Sequence, residues 1–335
     1  MLTKRQAELL GRFAGLPVNI TNYYLNKFTR NTPFMTIADS FNTEELIGEL
    51  VMLSIVPRGT KAPYVELNGF KTFNVKPDMI KGSATLTPLD NLEIQAGQTP
   101  TIYNGTVIEN GKYLDEKKLS ILKNGWENTR AAMASQLYLT GVIPLKNSGD
   151  KLDFKFSAPK GLTFTRGVDH WELFFIDRIT EYIKENQKAP THIEVDKEIL
   201  KEIVKDANLA GQQKAYNFVQ ILPKAAQELE QRYPDINILN MMITTLVPAI
   251  GLDGKVIDTE NMVYLSNDGE FISTYVGIGV AVGNDVRMIK ADVYVDFLIQ
   301  KDPAEKKYIL ESGFCPVVPV PKRIMRWKIT MKDKA

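Results

Sequence analysis

The sequence predicts an α+β protein in which a long helix braces two blocks of β-structure and a middle block alternates helices with strands. Three observations carry that expectation. Between 113 and 140, Leu119, Leu122, Trp126, Thr129, Met133 and Leu137 recur at intervals of three and four, which places one apolar stripe along a helix roughly 40 Å long. Around Asn68-Gly69, short strand-like runs at 64–67 and 71–75 give the strongest hairpin signal in the chain. From 271 to 331, β-like segments return, with 291–298 alternating apolar and polar residues.

The elements follow in order. Leu9, Leu10, Phe13 and Leu16 make an amphipathic helical start that Pro17 stops. An irregular arm follows with Tyr23, Tyr24, Leu25, Phe28, Pro33, Phe34 and Met35 and few helix or strand signals. So many aromatics in such a segment call for a partner, either the arm's own domain or a neighbouring subunit. Residues 49–56 form an apolar strand-sized run, and 83–88 is a further extended piece. A hairpin as short as that at 64–75 is not stable alone in water and must lean on something.

In the long helix, Asp115 and Glu116 are expected in the first turn, Gly125 at a kink and Gly141 at the stop. The middle block predicts a helix at 171–183 and a strand at 191–195. Asp196 should then cap a helix at 197–205 with Ile199, Leu200, Ile203 and Val204 on one face. Another helical stretch is expected from about 213, and strands at 236–239 and 262–265. Pro316, Pro319 and Pro321 should break the last segment.

Totals exclude several functions. The chain has 335 residues, enough for about two domains, with 44% hydrophobic and 24% charged residues. Its 41 Lys and Arg nearly cancel 40 Asp and Glu, so no global field holds nucleic acid, and any DNA contact is expected to be local and weak. A single cysteine, Cys315, excludes an intramolecular disulfide and a cysteine zinc cluster. The start of the chain has no apolar run of signal-peptide length, and 243–252 is too short to span a bilayer; a soluble protein is expected.

Catalytic constellations are not apparent. His170 and His192 sit in or beside different elements and read as ordinary histidines. Gly277-Ile-Gly279-Val-Ala-Val-Gly283 has the wrong third spacing for a dinucleotide loop and leads into a strand-like stretch, so bends in β-structure are the better reading. The basic stretch from Pro321, with Lys322, Arg323, Arg326, Lys328, Lys332 and Lys334, either touches DNA or an acidic neighbour or is a solvated face. No catalytic, cofactor-binding or metal-binding residue is assigned.

The order of these elements resembles the HK97-type capsid fold, and the residues resemble the lambda-type phage major capsid protein E family. The resemblance is carried by FTRNTPF at 28–34, LVMLSI at 50–55, PRG at 57–59, FNVKP at 73–77 and ATLTP at 84–88. It continues with VYLS at 263–266, STYVG at 273–277 and ESGFCPVVP at 311–319. It implies an N-terminal arm at 1–45, an extended loop at 46–92, a peripheral domain at 93–176 and 276–335 with a spine helix at 113–140, and an axial domain at 177–275.

The function implied is that of a non-enzymatic subunit, assembled into hexamers and pentamers of an icosahedral shell around double-stranded DNA. Such a shell belongs to the virion and is put together in the host bacterial cytoplasm. Inter-subunit contacts would fall on Tyr64, Leu67, Asn68, Gly69, Phe70 and Phe73 in the loop and on Tyr23, Tyr24, Phe28, Arg30 and Phe34 in the arm. A scaffolding protein and a portal are the implied partners, a decoration protein is left open, and no cofactor or membrane is involved. Two other classes compete: an encapsulin-like or gene-transfer shell of the same fold, and a soluble α/β nucleotide-binding enzyme.

Overall fold

The computed structural model describes residues 4–17, 23–43, 74–87, 90, 102–103, 106–107, 110–145, 150–206, 219–222, 235–238, 241–282 and 285–333. The strand expected at 49–56 and the hairpin at 64–73 lie outside the described residues, although Asn74–Val75 is a short strand paired with Phe41–Asn42.

Among the described residues the helices are α1 (Lys4–Gly15), α2 (Tyr23–Thr29), α3 (Asn110–Thr140), α4 (Trp171–Asn186) and α5 (Lys197–Lys205). The arm is therefore partly helical where few helix signals were read. Tyr and Phe lose side-chain freedom in a helix, and α2 forms because Tyr24, Leu25 and Phe28 bury themselves against Tyr138 and Phe271.

α3 is the spine of the molecule. Leu119, Leu122, Trp126, Met133 and Leu137 are buried along its length. It begins at Asn110, so Asp115 and Glu116 fall in its second turn and not its first, and it runs through Gly125 without interruption. Gly141 ends it with φ at +80° and an N–H donated to Leu137 O at 2.8 Å. A side chain there would also collide with Phe156, 2.6 Å from an ideal Cβ.

The core sheet has seven strands in the order Val219–Leu222, Asp235–Ile238, Met241–Thr245, His192–Val195, Met262–Ser266, Ile324–Lys332, Lys160–Thr165. Its register sorts side chains by face. Val195, Val263 and Trp327 lie in one row and Ile193, Leu265 and Met325 in the next, all buried against Trp171, Phe175, Tyr182, Ile199, Leu200 and Ile203 of α4 and α5. Glu194, Tyr264 and Arg326 share the opposite face, which α2 and α3 cover. Asp196 caps α5 as expected, accepting from Glu198 N at 3.4 Å, but Val204 is 48% exposed and off the buried face.

Two corrections concern this sheet. Val219–Leu222 is a strand and not part of a helix, because it pairs antiparallel with Asp235–Ile238. The basic C-terminal stretch is a solvated face only in part: Lys322, Lys328 and Lys332 are exposed, but Ile324–Lys332 lies inside the sheet between Met262–Ser266 and Lys160–Thr165, and Arg323 is buried. Its arginines close helix ends, where carbonyls need donors. Arg326 donates to Leu139 O at the end of α3 (3.0 Å), and Arg323 to Asn186 O at the end of α4 (2.8 Å).

A second, three-stranded sheet orders Tyr294–Lys301, Ala304–Ser312 and Ile80–Leu86 and packs on α1 and α3 through Leu9, Phe13, Trp126, Val295, Tyr308 and Leu310. A third joins Phe34–Met35, Ile272–Tyr275 and Phe314–Val317. Pro316 sits in that last strand and does not break it, since the strand is at the edge of its sheet, where proline is tolerated with its nitrogen turned away from the ladder. Gly279 lies in a hairpin strand, Ile278–Val282, paired with Asp285–Ile289, and Gly277 immediately precedes it. The element that follows is thus a strand and not the helix a phosphate loop would require; Gly283 lies outside the described residues.

Candidate functional site

The arm meets the body at a buried cluster of charges. Lys27, on α2, is 2% exposed and lies 3.1 Å from Glu194 Oε1 and 3.5 Å from Asp268 Oδ2, both carboxylates being buried. Glu194 reaches this point because the sheet register turns it away from its apolar neighbours Ile193 and Val195. It accepts hydrogen bonds from the Tyr23 and Tyr138 hydroxyls, and the Ser266 hydroxyl in turn donates to the Tyr138 oxygen at 2.9 Å. Asp268 accepts from Thr191 Oγ1 at 2.8 Å and meets His192 Nε2 at 3.0 Å and Arg30 Nη1 at 3.4 Å. The Lys27 ammonium also stands over the Tyr23 and Tyr138 rings, 5.2 and 5.0 Å from their centres.

Electrostatics favour one protonation state. Burial would push the Glu194 carboxyl up, but Lys27 and the two phenol donors outweigh it and hold the group below the usual carboxylate range. Asp268 behaves likewise: burial opposes ionisation, and His192, Lys27 and Thr191 override it. Tyr23 and Tyr138 are driven the other way, by burial first and then by the Glu194 charge, so they stay protonated donors. Two ionised carboxylates around one ammonium, with fixed phenol donors, make a clamp: both carboxyls are held below, and both phenols above, their usual ranges. Cys315 offers no nucleophile, since burial pushes its thiol up to about 12.

Backbone stitching extends the clamp along the arm. Ser273 Oγ donates to Phe28 O (3.1 Å), Asn31 Nδ2 to Gly269 O (2.8 Å), and Thr36 N to Tyr275 O (3.0 Å). Phe34 and Met35 pair in parallel with Thr274 and Tyr275. At Gly277 the chains approach so closely that an added Cβ would lie 2.0 Å from Ile37 O, which only glycine permits.

Of the arm residues selected from sequence, Tyr24 and Phe28 are buried inside their own subunit, while Tyr23 and Phe34 are half-buried. Arg30 alone projects, with its side chain 55% exposed. The loop residues Tyr64, Leu67, Asn68, Gly69, Phe70 and Phe73 lie outside the described residues. Lys27, Glu194 and Asp268 were not legible as a site, since 167 and 241 residues separate the lysine from its partners. Charged residues in a strand and after one carry no signal of mutual contact. His170 is exposed, and His192 lies beside Asp268.

Large apolar side chains stand exposed away from this clamp: Val286 (83%), Val256 (70%) and Ile299 (67%) lie near the tips of turns, and Leu173, Ile176 and Ile183 line the outer face of α4. Among the described residues no group of three or more His, Cys, Asp or Glu side chains is placed to hold a metal ion. No described helix is long and apolar enough to cross a membrane.

No protein-family model and no curated protein matches the chain. Solved structures do. A prophage protein of Escherichia coli CFT073, described as a capsid protein, matches with a TM-score of 0.56 at 13% identity over 97% of this chain and 99% of that one. A phage-related protein of Bordetella bronchiseptica RB50 matches with a TM-score of 0.48 at 9% identity, covering 96% of each chain. An encapsulin complex of Synechococcus elongatus matches with a TM-score of 0.45 at 10% identity, over 96% of this chain and 94% of that one. The first of these, extending over almost the whole of both chains, shows a shared fold: the chain has the HK97-like α+β fold.

Proposed function

We propose that this chain is the major capsid protein of a tailed phage or prophage, a structural subunit whose activity is assembly. One observation carries the reading: the fold is shared end to end with a prophage protein described as a capsid protein. The exposed apolar tips and helix face are consistent with it, because a subunit that works alone rarely leaves so many large apolar side chains in water. A net charge of +1 adds little repulsion when many copies pack side by side.

In this reading residues 1–45 are the arm, 46–92 the extended loop, 93–176 and 276–335 the peripheral domain, and 177–275 the axial domain. The seven-stranded sheet takes Lys160–Thr165 and Ile324–Lys332 together with strands from the middle of the chain, so the two domains would share one rigid sheet. Hexamers and pentamers would close an icosahedral shell around double-stranded DNA, with a scaffolding protein and a portal as partners. Many weak contacts would sum to a stable particle. Of the arm residues, Arg30 and the open sides of Tyr23 and Phe34 are the ones left to reach a neighbour.

The loop tests this assembly role. Deleting 64–73 is expected to leave a subunit with wild-type thermal stability that no longer sediments as capsomers or larger particles. Normal assembly by the deletion variant would contradict the assignment of the loop.

A further inference from the structure

α4 is apolar on two opposite faces. Trp171, Phe175 and Tyr182 face the sheet, as an amphipathic helix requires. On the far side Leu173 (56% exposed), Ile176 (42%) and Ile183 (41%) continue a second stripe, with Thr180 completing the i, i+3, i+7, i+10 spacing. Among the described residues, nothing packs over that stripe.

The charges beside it are informative. Glu181 is held by Arg178 and Lys160, both at 2.5 Å, and Glu185 by Lys160 at 2.9 Å, so the acidic groups nearer the body are neutralised within the subunit. Asp177 and Lys184 border the stripe, both exposed, and neither is paired with another described residue. Seven residues apart, they lie two turns from each other on the same side of the stripe, about 10 Å along the axis. Their midpoint falls beside Thr180, and Thr180 is small and already satisfied by a bond to Ile176 O at 2.8 Å.

We propose that this outer face of α4 is a two-fold contact surface whose occupant is the same helix of a second copy of the chain, packed antiparallel about Thr180. A dyad perpendicular to the helix at that point keeps the flanking charges on one side and reverses their order. Asp177 of each copy then meets Lys184 of the other, and Ile176 of each packs on Ile183 of the other, while Leu173 lies at the edge of the contact. A parallel arrangement would put the two charged flanks on opposite sides and leave them unmatched.

Thr180→Cys tests the geometry, because the only natural thiol, Cys315, is buried. With a mild thiol oxidant, the full-length variant is expected to give a disulfide-linked dimer on non-reducing gels. Asp177→Lys or Lys184→Asp, introduced beside Thr180→Cys, should each slow linkage about tenfold, since attraction becomes repulsion at both ends of the contact. The double reversal Asp177→Lys, Lys184→Asp should restore the rate. These positions are exposed, so circular dichroism should show the same fold throughout. An unlinked Thr180→Cys variant, single reversals without effect, or a double reversal that fails to restore linkage would each overturn the proposal. The shell reading stands or falls apart from it: particles without linkage would remove only the dyad, and linkage without particles would remove only the shell.

Discussion

The two faces of the seven-stranded sheet are built on different principles. Toward α4 and α5 the sheet presents Ile193, Val195, Ile243, Val263, Leu265, Met325 and Trp327, an apolar layer that close packing alone can hold. Toward α2 and α3 the same strands present Glu194, Tyr264, Ser266 and Arg326, which meet Lys27, Tyr23 and Tyr138. Apolar packing tolerates many arrangements of similar volume, whereas a buried ammonium is satisfied at one place only. The first face holds the middle block together. The second fixes where the arm lies.

The largest effect should come from breaking the charged face on one side. Lys27→Met leaves Glu194 and Asp268 buried without their ammonium and should cost about 3–5 kcal/mol in denaturant unfolding, with the arm becoming the first site of proteolysis. A loss below about 1 kcal/mol would mean that water or local rearrangement satisfies the carboxylates, and the clamp would not define the arm's position.

On the apolar face, Leu265→Ala should cost about 2–4 kcal/mol through lost transfer energy and a cavity. The rate of cleavage in the arm should not change, because Leu265 points away from it. Faster cleavage in the arm would show that the two faces are coupled, contrary to the separation drawn above.

Acid should discriminate between the faces more gently. Asp268 and Glu194 titrate below their ordinary values in the folded chain, whereas the unfolded carboxylates titrate at about 4. The folded state therefore binds protons less readily. The clamp's contribution is fully present above about pH 4 and is lost as pH falls from there through the folded values. Melting temperatures measured from pH 5 to pH 2 should fall less steeply for Asp268→Asn than for the wild type. Equal slopes would remove Asp268 from the account.

Legibility in the sequence followed the range of the interaction. The stripe Leu119, Leu122, Trp126, Met133, Leu137 announced α3, Gly141 its end and Asp196 the start of α5, because each signal acts within one or two turns. Val219–Leu222 was misread since its strand state depends on Asp235–Ile238, and α2 since its helix depends on Tyr138 and Phe271. The clamp was hidden for the same reason at longer range. Arg323 and Arg326, read with their neighbours as a solvated face or a contact for DNA or an acidic partner, are donors to carbonyls at the ends of α4 and α3, a role that only topology assigns.

Assembly itself is the claim on which the rest hangs, and electron microscopy of the purified full-length protein, produced with and without a co-expressed scaffold, tests it most directly. Capsomer rings, tubes or closed shells built from this chain are the expected result. A strict monomer at high concentration under both conditions would contradict it.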